Sequence, residues 1–217
     1  MKNIDIGEFK KMSVYGIISF YSTLYHIENL GMLSIMTANL GFMQMLTLVI
    51  NPYKKDLPQI NYDIIYMLNK RIFLVEFYGL MIDEQNEEYK LLNNKIEEIN
   101  KKLSDVDNFE AKKDWHFIYL SALIGKKYGT KYEQRFMNIL KEVMKSFIES
   151  SNISKKLNKD DIMKKISLFE DFGNGLIEKG GISTDTFKSL FGIEKTRKFL
   201  GNVLFGYYTF KDLAKLN

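Results

Sequence analysis

KMSVYGIISFYSTLYHIENLGMLSIMTANLGFMQMLTLVINPYK, residues 11–54, carries one formal charge between its terminal lysines, Glu28. The rest is Leu, Ile, Met, Phe and Tyr mixed with Ser, Thr, Asn, Gln and Gly, while the flanking chain is dense in Lys, Glu and Asp. A stretch of this kind leaves water for a protein core, a partner or a bilayer. Leu30 to Ile50 is 21 uncharged residues, long enough as a helix to cross a hydrocarbon layer of about 30 Å. Asn39, Gln44, Ser34, Thr37 and Thr47 interrupt it, and Ser13 to Ile27 is less apolar still. A pair of core helices, from near Ile6 to Glu28 and from Met32 to Ile50, is therefore preferred to a membrane anchor. Glu28 then belongs at the surface, in the bend before Gly31.

Outward from that stretch the chain reads as helical. It has two prolines, Pro52 and Pro58, in one short loop, and long proline-free runs favour helices. Ile64 to Leu80 is apolar almost all round and is assigned to a buried helix. From Glu84 to Val106 the apolar positions Tyr89, Leu92, Ile96, Ile99, Leu103 and Val106 fall three and four apart on a charged helix. That seam is too short for an autonomous coiled coil, so it predicts a projecting hairpin near 84–110, with Tyr89, Leu92, Ile96, Ile99 and Leu103 offered to a partner. Further helices are expected over 110–124, 131–149 and from Asp160 to before Gly180, with two or three short ones in the tail. The predicted fold is an all-α multi-helix bundle of about eight helices. Residues 1–150 form its main domain, and 151–217 a C-terminal helical subunit packed on it.

The chain of 217 residues is 46% hydrophobic and 27% charged, which is a globular composition with room for one good core. It has no cysteine, which excludes disulfides, thiolate metal sites and cysteine nucleophiles. No secretory cleavage pattern is seen at the N-terminus, so an intracellular, cytoplasmic location is expected, with membrane association left open. A net charge of +4 permits contact with nucleic acid or anionic lipid without demanding it.

Catalytic groupings are not legible. The two histidines, His26 and His116, stand far apart in sequence, and no Glu-x-x-His or Gly-x-Ser-x-Gly occurs. The acids Asp83, Glu84, Glu87 and Glu88 read as a solvated helix face. Gly125 to Lys131 lacks the order of a phosphate-binding loop. No metal site, cofactor or enzymatic activity is predicted.

Two basic regions suggest nucleic acid. Lys126, Lys127, Tyr128, Lys131 and Arg135 interleave cations and aromatics at the start of a helix. In the tail, Thr186 to Ile193 followed by Glu194 to Leu200 faintly follows a helix-turn-helix over 183–204. Gly192 is at its turn, and Lys195, Arg197 and Lys198 are on the second helix. The expected function is a non-enzymatic helical interaction protein with a protein partner. Nucleic-acid binding through those two regions, and membrane association through residues 13–50, are the alternatives.

Overall fold

The computed structural model describes residues 1–83, 85–110 and 114–215, the side chains of 182 and 215 excepted. Glu84 of the acidic patch and residues 111–113 of the helix expected from Glu110 lie outside the described residues. Residues 11–51 are not helices. They form strands β2 (Lys11–Val14), β3 (Ile18–Ile27), β4 (Gly31–Asn39) and β5 (Met43–Asn51). With β1 (Lys2–Ile4), β6 (Gln59–Met67), β7 (Lys70–Tyr78) and β8 (Leu120–Gly129) they build one eight-stranded antiparallel sheet. The spatial order is β1-β3-β4-β5-β6-β7-β8, with β2 beside β1 on the outer edge of β3. The all-α prediction is corrected to a mixed α/β sandwich.

The physical reason is coverage. A sheet buried on both faces shows near-continuous apolar runs rather than alternation, and these cannot be told from buried helices by periodicity. One face packs against α1 (Glu87–Lys101) and α2 (Glu133–Ile153), with Ile60, Tyr62, Phe73, Val75 and Phe77 meeting Leu92, Ile96, Phe136 and Val143. The other face packs against α3 (Lys159–Lys179), α4 (Ile182–Phe191), α5 (Ile193–Phe199) and α6 (Tyr207–Lys215). There Phe20, Leu24, Met32 and Val49 meet Phe169, Phe187, Phe199 and Phe210.

The seam of α1 is thus a core seam. Leu92, Ile96, Ile99 and Leu103 are buried between the sheet and α2, and Tyr89 is half-buried. Among the described residues, no projecting hairpin presents them to a partner. Gly31 starts β4 against the chain at Asn51, whose carbonyl oxygen would lie 2.1 Å from a Cβ placed there. Only glycine admits that approach. Glu28 is exposed in the β3–β4 turn. Among the described residues, no helix is long and apolar enough to cross a membrane.

Tertiary ties fix the helical layer. The Tyr53 hydroxyl donates to the Phe205 carbonyl at 2.7 Å, and its ring stacks on Phe210 at 4.6 Å. Lys165 of α3 is fully buried and donates to Asp56 at 3.0 Å and to the Leu57 carbonyl at 2.8 Å. Asp56 in turn accepts the backbone N–H groups of Ile82 and Asp83.

Candidate active site

Polar side chains stand on the covered face of β5, β6 and β7, where an unbroken core would be apolar. Gln59, Asn61 and Asp63 occupy alternate positions of β6, and Asn61 pairs in register with Glu76 of β7. Thr47 of β5 lies opposite Asp63. The period of two puts all of these on one face. Above them lies a cavity of about 240 Å³ between the sheet and α3–α5. Phe172, Leu176, Phe187 and Phe199 roof it, and the turn of 3₁₀-helix Trp115–Tyr119 brings in His116 and Phe117.

Hydrogen bonds organise the carboxyls. Thr47 Oγ1 donates to Asp63 Oδ1 at 2.5 Å. The Asn61 amide nitrogen donates to Asp63 Oδ2 at 3.1 Å and to Glu76 Oε2 at 3.2 Å, which bridges the two acids. The Tyr78 side chain hydrogen-bonds Glu76 from two residues along β7. Among the described residues, Gln59 Oε1 and His116 Nδ1 are buried without a hydrogen-bond partner, so both can serve a ligand.

The environment disfavours the charged forms of these groups. Burial pushes Glu76 up to about 7, and the nearby Asp63 charge adds to it, against the donors Asn61 and Tyr78. Burial also raises Asp63, and Thr47 and Asn61 oppose the rise. Asp63 is nonetheless partly accessible, because its carboxyl opens into the cavity. Burial lowers His116, which the Asp114 charge partly offsets. Glu76 is therefore an acid poised at neutral pH in a cavity that His116 also lines, under an aromatic roof. That arrangement suits general acid–base chemistry on an apolar, flat ligand.

The residues singled out in the sequence fall elsewhere. Lys126 is buried, donating to Asn108 Oδ1 at 2.8 Å, and Tyr128 stacks on Phe136 at 3.8 Å. Lys127 and Lys131 are exposed at the end of β8. Arg135 is engaged by Asp105 at 2.7 Å. In the tail, Gly192 does turn the chain between α4 and α5, with φ of 81°. Lys195 pairs with Glu8 and Arg197 with Asn174, while Lys198 is exposed. Thr196 is fully buried, so α5 shows its middle to the core and helps roof the cavity instead of displaying a reading face. Among the described residues, no group of three or more His, Asp or Glu is placed to hold a metal ion.

Asn61, Asp63 and Glu76 were not singled out from the sequence. Their signal was present: Gln59-Ile60-Asn61-Tyr62-Asp63-Ile64 alternates strictly, and Glu76 is a lone acid inside an apolar run.

No protein-family model matches the sequence, and no curated protein is similar to it. The fold does have a counterpart. The crystal structure of phytochromobilin synthase from tomato, in complex with biliverdin, is similar with a TM-score of 0.74 and 12% identity. The match covers 93% of this chain and 75% of that one. At that identity the likeness is one of fold. With the bridged carboxyls in a cavity, it overturns the expected non-enzymatic helical interaction protein, together with the nucleic-acid and helical-anchor alternatives.

Proposed function

We propose that the cavity binds an open-chain tetrapyrrole of the biliverdin class and that the protein is an enzyme delivering a proton to it. The observation that carries this reading is the Asp63–Asn61–Glu76 group, a buried carboxyl pair with one member poised near 7, facing an aromatic cavity. The fold shared with a biliverdin-binding synthase supports the ligand class. The cavity is slightly smaller than the roughly 300–1,000 Å³ that encloses a drug-sized ligand, so a tetrapyrrole occupies it with part of its length outside.

The roles follow from the bonding. Glu76 holds the proton at a carboxyl oxygen. Transfer breaks that O–H bond and forms an N–H bond at a basic ring nitrogen of the ligand, leaving a carboxylate on Glu76. Asn61 and Tyr78 already donate toward that carboxylate and stabilise it without rearranging. Thr47 holds Asp63 in its rotamer, and Asn61 passes the charge state of one acid to the other. Phe172 and Phe199 cover the ligand face and exclude water, which strengthens each polar contact.

Titration of the purified chain with biliverdin, followed by visible absorption, tests the reading. The expected result is saturable binding with a long-wavelength band from the protonated pigment. That band is lost in Glu76→Gln while binding persists. An unchanged pigment spectrum, or a band equally strong in Glu76→Gln and Asp63→Asn, would overturn it.

A further inference from the structure

Three two- or three-residue turns stand side by side at one end of the sheet: Tyr15-Gly16-Ile17 between β2 and β3, Leu40-Gly41-Phe42 between β4 and β5, and Leu68-Asn69 between β6 and β7. Neighbouring turns are two strands apart, hence about 10 Å, and the row is about 20 Å long. Each carries a large apolar side chain in the open. Tyr15 is 94% exposed, Phe42 81% and Leu68 93%, with Ile17 at 69%. Single exposed apolar residues are ordinary, but an apolar residue on each of three adjacent turns is a contiguous feature.

Backbone geometry sharpens the point. Among the described residues, Tyr15 and Leu68 are the non-glycine residues with positive φ, at 53° and 34°. Those turn positions favour Gly, Asn or Asp, and a bulky side chain there is strained. Local stability and solubility both argue for a different residue at each position. The chain instead holds an aromatic and a leucine outward on stiff hairpins.

The charge around the row is predominantly positive, and its one nearby acid, Glu133, is paired with Arg71. Residues 14–18, 39–43, 67–71 and 129–132 include Lys70, Arg71 and Lys131 and no acid. Arg71 is engaged by Glu133 at 3.6 Å, and Lys70 and Lys131 remain exposed. Apolar and aromatic tips beside lysines match the boundary of an anionic bilayer, with the rings among the headgroups and upper acyl chains and the ammonium groups on phosphates.

We propose that this end of the sheet docks peripherally on anionic lipid, through Tyr15, Ile17, Phe42 and Leu68 with Lys70 and Lys131 beside them. The contact is made by turn side chains, while the strands behind them stay in the protein's own sheet. It is independent of what the cavity binds.

Co-sedimentation of the full chain with vesicles tests this, comparing phosphatidylcholine alone with vesicles one-quarter phosphatidylglycerol. The informative variant is Tyr15→Asn, Phe42→Ser, Leu68→Asn combined, because Asn suits positive φ and the fold should be kept. The expected result is binding to the anionic vesicles that weakens as salt is raised. In the triple variant it falls at least about tenfold, the contribution of one well-buried apolar side chain. The thermal midpoint of that variant is expected to be unchanged or higher. Failure of the parent chain to sediment with anionic vesicles, or undiminished binding by the variant, would overturn the proposal. So would a dimer of the parent chain, dispersed by the same substitutions, that binds no lipid.

Discussion

Replacing Glu76 with Gln keeps the side chain's shape and its contacts to Asn61 and Tyr78 but removes its charge. Burial lifts this carboxyl from the ordinary 4.5 to about 7 in the folded protein. Between those two values the unfolded chain has released the proton and the folded chain still holds it, so stability falls as pH rises. The gap, 7 − 4.5, is about 2.5 pH units, and at about 1.36 kcal/mol per unit it amounts to roughly 3 kcal/mol. For a chain of this size that is a midpoint shift on the order of 6–12 °C. Asp63 is raised and contributes with the same sign, whereas the lowered His26 and His116 contribute with the opposite sign. The difference between parent and Glu76→Gln cancels most of those contributions. Thermal and urea unfolding followed by circular dichroism at pH 5 and pH 8 measure it. The parent is expected to lose about 2.5 kcal/mol more than the variant across that interval, since at pH 5 the unfolded carboxyl is already mostly ionised. Parallel pH profiles for the two proteins would show that Glu76 titrates as an ordinary surface carboxyl, and the poised-acid argument would fail.

Other outcomes follow from the packing. Asp56→Ala strands the buried Lys165 without its anion and should cost about 3–5 kcal/mol in urea unfolding, part of which Lys165→Met restores in the same background. A loss under about 1 kcal/mol would mean that the pair is not buried in solution. Gly175→Ala places a Cβ 2.4 Å from the ring of Trp115, the single tryptophan, and should red-shift its emission as the ring leaves the Gly180 carbonyl. The same change should cost about 1–3 kcal/mol. Ile96→Ala should cost about 2–5 kcal/mol with no change in molecular mass by light scattering, because the α1 seam is core. A change of oligomeric state at unchanged stability would return that seam to a partner.

The helical half of the protein was legible. The heptad spacing from Tyr89 to Leu103 and the stripe from Tyr132 to Phe147 mark α1 and the first four turns of α2. Gly192 marks a real helix–helix turn. The sheet was not, and the reason lies in its burial. Strands β3 to β5 are covered on one face by Phe187, Phe199 and Phe210. On the other, β4 and β5 set Leu33, Leu46 and Leu48 against the α1–α2 cluster, while β3 carries Tyr21 and Tyr25 on a more open face, so apolar side chains stand on both faces and the period of two is blurred. Their turns do carry Gly16, Asn29, Gly31 and Gly41, but these stand among Tyr15, Ile17, Leu40 and Phe42, and the apolar neighbours dilute the punctuation of a hairpin. Among the long strands β6 kept its alternation, because one of its faces lines the cavity.

Sequence by itself determined that residues 11–54 are withdrawn from water, that no thiol chemistry is available, and that amphipathic helices follow residue 84. These are properties of composition and short-range spacing. The tertiary structure alone decided that the uncharged stretch is a sheet rather than a helical hairpin, since that depends on what covers its second face. It alone decided that the seam of α1 faces inward. It alone brought Thr47, Asn61, Asp63, Glu76 and His116 around one cavity, because the pairing of β5, β6 and β7 joins residues up to 29 positions apart, and the helical roof withdraws them from water. An acid's strength in such a site is set by neighbours and solvent exclusion, and neither is written in local sequence.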